Sequence, residues 1–204
     1  GRGTDPAEAG SCFRCDQPQR YSALSKISQL TYYYDPIVGG QQVYVEELNG
    51  VLQSLGHEVD VIQRWRRDAT GGPGVHTVPA IPYGGRMFGK WDWHLFTIGA
   101  SVFSRGVLRD ADALIVHYAV HAPAVWAFAY KSVLVSHGVE WERATPARED
   151  RFRRWLARRS FDRFTVVAND TDYLRDMGLA VQPAENPFTE VAPRKWFIPN
   201  CVDT

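Results

Sequence analysis

Cysteine is scarce in this chain of 204 residues: the three present, Cys12, Cys15 and Cys201, are too few and too unevenly placed for a disulfide framework. With no signal peptide ahead of them, a reducing, cytoplasmic setting is the expectation. Cys12-x-x-Cys15 is half a zinc site at most, because no second pair with ligand spacing follows, so no metal is expected. An excess of charge is also missing, since 23 Lys and Arg offset 23 Asp and Glu. No overall field then draws the chain to nucleic acid or to an anionic membrane, and polyanion binding would need a local patch. The longest stretch without Lys, Arg, Asp or Glu, Ala113 to Tyr130, holds His117, His121 and Pro123 and changes texture midway. It reads as a buried strand followed by a helix rather than a membrane span. Neither the G-x-G-x-x-G fingerprint nor a Walker loop occurs, which disfavours nicotinamide and P-loop nucleotide chemistry.

What is present suits a folded domain: 45% of residues are hydrophobic, 13% aromatic and 23% charged. Residues 1–25 mix Gly, Pro, Ser, Gln and charge without a period and read as an irregular N-terminal arm, leaving 26–204 as one domain. Within it strands and helices alternate. Ile27 to Tyr34 reads as a strand ended by Asp35-Pro36 and Gly39-Gly40, and a helix from Gln41 sets the apolar Val43, Leu48, Val51, Leu52 and Leu55 on a helical period before stopping at Gly56. His57 to Gln63 reads as a half-buried strand, and Val75 to Ile81 as a short one among glycine-rich loops. A helix over Trp93 to Leu108, a strand over Ala113 to Tyr118 and a short helix over Ala124 to Tyr130 follow. Ser132 to Ser136 lacks a polar face, as a central parallel strand does. A helix over Arg148 to Phe161, a strand over Phe164 to Ala168, a helix over Asp170 to Met177 and a strand over Lys195 to Ile198 complete the reading. Such alternation specifies an α/β fold, a Rossmann-like doubly wound parallel sheet, whose ligands bind beyond the carboxyl ends of the strands.

That rule selects the candidate site. Gly39-Gly40 occupies the first strand-to-helix turn, where glycine admits a ligand to the backbone and the free N–H groups of the helix start face it; a tight turn with no ligand is the alternative. His137 ends the apolar fifth strand, where an imidazole can donate to a sugar hydroxyl or a phosphate oxygen, or can serve only the fold. His117, Tyr118 and His121 end the fourth strand, Glu140 and Trp141 follow the fifth, and Asn169 precedes a helix that it could cap. Tyr83 to His94 carries Arg86, Lys90 and Trp91 among three glycines, a composition suited to stacking on a sugar or an apolar acceptor, with aromatics that simply pack back on the domain as the alternative. Eight arginines between Arg143 and Arg163 face Glu149, Asp150 and Asp162, making a basic helix that reads as a solvated face, with contact to a membrane surface the less favoured reading.

Gly39-Gly40, followed after a helix by Gly56-His57-Glu58-Val59, resembles the opening of the family 4 retaining glycosyltransferases of GT-B fold. The order continues with Ala111 to His117, Val133 to Gly138 and Phe161 to Asn169, and Ile198 to Asp203 resembles the Ile-Pro-Asn-Gly-Val-Asp that closes the family's N-terminal domain. Cys201 stands where that motif has Gly, and Asn169 where the family more usually has Ser. The resemblance implies the N-terminal, acceptor-side domain of a GT-B enzyme, with the C-terminal donor-binding domain outside this sequence. It implies a nucleotide-diphosphate sugar as donor, a sugar or small molecule as acceptor, and transfer with retention that needs no divalent metal. His137 would be catalytic, Gly39 and Gly40 would cradle the donor diphosphate, and Tyr118, His121, Glu140, Arg86 and Trp91 would line the acceptor site. The isolated domain is expected to be inactive. Two other readings stay open: a non-catalytic sugar- or nucleotide-binding module, and another GT-B enzyme such as a nucleotide-sugar epimerase.

Overall fold

A computed structural model describes residues 25–35, 37, 39–79, 92–138, 147–180 and 188–199, with only the backbone described over 147–150. The arm, Cys12, Cys15, Cys201, Arg86, Trp91 and Glu140 lie outside the described residues.

Eight strands form one sheet: β1 (Lys26–Leu30), β2 (Glu58–Arg64), β3 (Val75–Val78), β4 (Ala113–His117), β5 (Ser132–Ser136), β6 (Thr165–Ala168), β7 (Thr189–Ala192) and β8 (Lys195–Phe197). Their order is β3-β2-β1-β4-β5-β6-β8-β7, and every neighbouring pair is parallel except β7 with β8. The helices are α1 (Gly40–Ser54), α2 (Asp92–Phe103), α3 (Arg105–Asp110), α4 (Ala147–Arg163) and α5 (Thr171–Asp176), with a 3-10 helix over Ala119–Lys131. This is the doubly wound arrangement expected. The strand order reverses between β1 and β4, so the crevice at their carboxyl ends is where a ligand belongs.

Several elements differ from the sequence reading. The first strand ends at Leu30, backbone bonds to β2 continue only through Thr31 and Tyr32, and beyond them the N–H groups of Tyr34 and Asp35 both donate to the buried Gln63 Oε1, at 3.0 and 2.9 Å, instead of to a strand. Asp35 in turn accepts from the N–H groups of Thr70 and Gly71, at 2.7 and 2.8 Å, so the segment after β1 is tied to the one after β2. β2 is buried from Val59 to Gln63 rather than alternately exposed, since β1 and β3 flank it and both its faces are covered. The helix expected over Trp93 to Leu108 is divided at Ser104, whose φ of −101° and ψ of 11° fall outside the helical region. The helix after β4 begins five residues earlier than Ala124, because the run from Ala119 to Val125 is buried almost throughout and shows no polar face for a period to reveal.

The largest correction concerns α1. Gly56 does sit just past it in the left-handed region, at φ 89°. The buried side, however, is Gln42, Val45 and Asn49, while Val43, Val51 and Leu55 are 44%, 55% and 46% exposed. The helix is turned so that Asn49 meets polar groups of β1 and of the chain that follows it. Likewise Asp170, not Asn169, caps α5: its carboxylate accepts from the Asp172 N–H at 2.6 Å.

Candidate active site

The crevice is built by the ends of β4, β5 and β6 and by α1, the helix that follows β1. β4 delivers His117, fully buried, as its last residue, and β5 delivers His137 immediately after its last. His117 Nδ1 lies 2.9 Å from His137 Nε2, with the two rings 15° from coplanar orientation and their centroids 5.2 Å apart. Tyr44 of α1, four residues after Gly40, sets its ring edge-on to His137 at 4.8 Å and to His117 at 6.1 Å. Asn169, at the end of β6, hydrogen-bonds the Tyr44 hydroxyl and ties its own N–H to Ser136 O at 3.0 Å. The helix of the Gly39-Gly40 turn is therefore brought against the histidine pair.

Gly39 is the N-cap of α1 and offers no side-chain cap, while its carbonyl accepts the first helical hydrogen bond, from Val43 N at 3.1 Å. Its φ of −154° is one that any residue adopts, and a Cβ would meet only the movable end of the Gln42 side chain, Oε1 at 2.8 Å, so neither conformation nor fixed backbone demands glycine there. Around Gly40 a Cβ would meet nothing within 4 Å, so that backbone is open to a ligand. On the opposite side Gly138 has φ 143°, a conformation that L side chains rarely adopt, so His137 is followed by a turn that glycine makes possible. Tyr118 is a non-glycine residue with positive φ, at 80°, and its half-buried ring lies 5.8 Å from His137 and 5.7 Å from Trp93. Strain of this kind collects at functional sites and holds only where the surroundings over-determine it.

His121 departs from expectation. It is fully buried, its Nδ1 is 3.0 Å from Thr97 Oγ1, and it stacks on Tyr32 and Trp93 at 5.8 and 5.5 Å. The 3-10 helix carries it into the aromatic packing beneath the crevice, away from where an acceptor could touch it. Burial pushes its pKa down to about 3, and the nearby His94 adds to that. His137 is pushed down to about 4 by burial, and His117 well below the ordinary range by burial and then by its histidine neighbours. The pair in the crevice is accordingly neutral at physiological pH.

A hydrogen-bonded chain missed by sequence reasoning runs back from this pair. His117 Nε2 is 2.8 Å from Gln29 Oε1 on β1. Gln29 Nε2 donates to Asn49 Oδ1 on α1, Asn49 Nδ2 donates to the Tyr34 hydroxyl at 3.1 Å, and that hydroxyl donates to the Glu46 carboxylate. Burial and then the Glu46 contact push the Tyr34 pKa up to about 12, keeping the phenol protonated. In the sequence the only trace of this chain is that Gln29 and Asn49 are polar residues within a strand and a helix otherwise rich in apolar ones; their burial and pairing come from the fold. Among the described residues no group of three or more His, Cys, Asp or Glu is placed to hold a metal ion, and no helix is long and apolar enough to cross a membrane.

Residues 38–184 match the sequence profile of Glycosyltransferase Family 4. The chain belongs to that family. Among solved structures it is similar to sucrose-phosphate synthase from Thermosynechococcus elongatus, at 18% identity and TM-score 0.57, over 86% of this chain and 48% of that one. A second structure, of a segment of the same synthase, matches at 13% identity and TM-score 0.56, over 88% of this chain and 91% of that segment. This chain thus spans about half the length of the synthase. At these identities the likeness shows the fold, a Rossmann-like domain of GT-B type. No curated protein matches the sequence significantly.

Proposed function

We propose that this chain is the acceptor-side domain of a retaining glycosyltransferase that takes a nucleotide-diphosphate sugar as donor and needs no divalent metal. The observation that carries this reading is the meeting of the Gly39-Gly40 helix with His137 at the sheet's reversal point, through the 4.8 Å contact of Tyr44. The open N–H groups at the start of α1 face the donor diphosphate and stabilise the charge that develops as it leaves. His137 contacts the sugar at the reacting centre. Tyr118 borders the acceptor side, which Glu140, Arg86 and Trp91 complete. A second domain, outside this sequence, grips the nucleotide.

The test is transfer by the full-length protein of the source reading frame, from uridine- and guanosine-diphosphate sugars to sugar and small-molecule acceptors. The product keeps the donor's anomeric configuration, and His137→Ala lowers kcat by about 10²-fold, roughly 2.7 kcal/mol, without loss of fold. An inverted product, or a variant with unchanged kcat, overturns the reading. A dependence on added magnesium or manganese would contradict the metal-free mechanism.

A further inference from the structure

The chain of hydrogen bonds behind His137 has a direction, and its far end dictates it. A carboxylate only accepts, so the Tyr34 hydroxyl gives its proton to Glu46 and its oxygen must accept from Asn49. The Asn49 amide nitrogen being committed to Tyr34, its oxygen faces Gln29 and takes a proton from the Gln29 amide. The Gln29 oxygen is then left for His117 Nε2, which must carry hydrogen to donate to it. A neutral His117 with hydrogen on Nε2 has a lone pair on Nδ1, so across the 2.9 Å contact His137 Nε2 is the donor. Among the described residues nothing hydrogen-bonds His137 Nδ1.

We propose that Gln29, Asn49, Tyr34 and Glu46 are positioning residues that hold His137 in the single tautomer with hydrogen on Nε2, so that it presents Nδ1 to its ligand as an acceptor. Each link polarises the next in the same sense, which strengthens the series beyond its separate bonds. The consequence for recognition is a sign. An imidazole held this way accepts from a hydroxyl and does not attract a phosphate oxygen, which has no hydrogen to give. His137 therefore reads a sugar hydroxyl, and the diphosphate is left to the backbone at Gly39-Gly40. This rests on the proposed function for the nature of the ligand, but not for the tautomer.

The tautomer is measured directly, with no substrate present, by long-range proton–nitrogen correlation NMR of the ring nitrogens of His117 and His137 at pH 7. The wild-type protein shows both histidines with pyrrole-type Nε2 and pyridine-type Nδ1. Glu46→Gln, at an exposed position, replaces the pure acceptor with an amide that can donate, and a second set of ring resonances appears for His117 and His137. Gln29→Met removes the acceptor and also releases the tautomer, whereas Gln29→Glu, still able to accept from His117, keeps it. Circular dichroism and thermal melting confirm that each variant is folded. Hydrogen on His137 Nδ1 in the wild type overturns the proposal, as do unchanged ring resonances in both folded Glu46→Gln and Gln29→Met. If instead the tautomer is found as stated but no sugar transfer is detected, the relay stands and the proposed function falls.

Discussion

Two neutral histidines line the crevice and a third, His121, is buried beneath it, and their burial makes the fold acid-sensitive. His121 and His137 take protons in the folded state only near pH 3 and 4, and His117 likewise well below its ordinary 6.5. In the unfolded chain all three titrate near 6.5. Because the unfolded state binds more protons between these values, stability is full above about pH 6.5 and falls as pH drops toward 4. The slope is about 1.4 kcal/mol per pH unit for each histidine. Urea midpoints should decline between pH 7 and pH 5, before most carboxylates titrate, and His121→Phe should lessen the decline while keeping the ring stacked on Tyr32 and Trp93. Equal midpoints at pH 7 and pH 5 would show that these histidines are not buried as described. At this scale the sequence revealed His137 and His117, since an apolar strand ending in histidine is a local pattern. It could not pair Tyr44, Gln29 or Asn49 with their partners, which lie 15 to 125 positions away and come together only through the sheet.

An amphipathic period names the residues that share a helix face, yet not which face the fold covers. On α1 the apolar positions Val43, Val51 and Leu55 are periodic and nonetheless exposed, because the helix turns its Gln42, Val45 and Asn49 side inward. Val45→Ala should then lower stability by about 2 kcal/mol, and Val51→Ala by less than about 0.5. Equal losses in denaturant unfolding would place the buried face where the sequence pattern puts it. Strand boundaries were legible to within a few residues wherever a β-branched or apolar run met a Gly or Asp, as at β4, β5 and β6. The first strand was overrun because Gln63 captures the backbone of Tyr34 and Asp35, a side-chain bond across 28 or 29 positions, and β7 (Thr189–Ala192) was not expected at all. α5 is six residues long, so its cap counts heavily: Asp170→Ala should cost about 1 kcal/mol and Asn169→Ala should leave helix α5 in place while loosening Tyr44. Hydrogen exchange of the α5 amides separates the two roles.

At the scale of the whole molecule, topology decides which groups share a site. The reversal between β1 and β4 opens one crevice, and into it the fold places a glycine turn, a strained tyrosine and a neutral histidine pair, with no arginine or lysine among the contacts that the described residues make to that histidine pair. A nucleoside diphosphate carries at least two negative charges, and the neutral pair cannot balance them; the partial charge of one helix start contributes about 0.3–1 kcal/mol for an exposed anion. Binding by this chain alone should therefore be weak, with a dissociation constant above about 1 mM, weaker than about −4 kcal/mol, for both uridine and guanosine diphosphate. Isothermal calorimetry on this chain measures it. A low-micromolar constant, about −8 kcal/mol, would mean that the crevice grips the nucleotide by itself, and the assignment of that task to a second domain would fail. Free glucose and other neutral sugars supply the complementary arm: a hydroxyl-reading histidine should discriminate among them weakly in the isolated chain but lose that discrimination in His137→Ala, with no change in the diphosphate's constant. A His137→Ala variant that weakened diphosphate and left sugar untouched would reverse the roles given to His137 and to Gly39-Gly40.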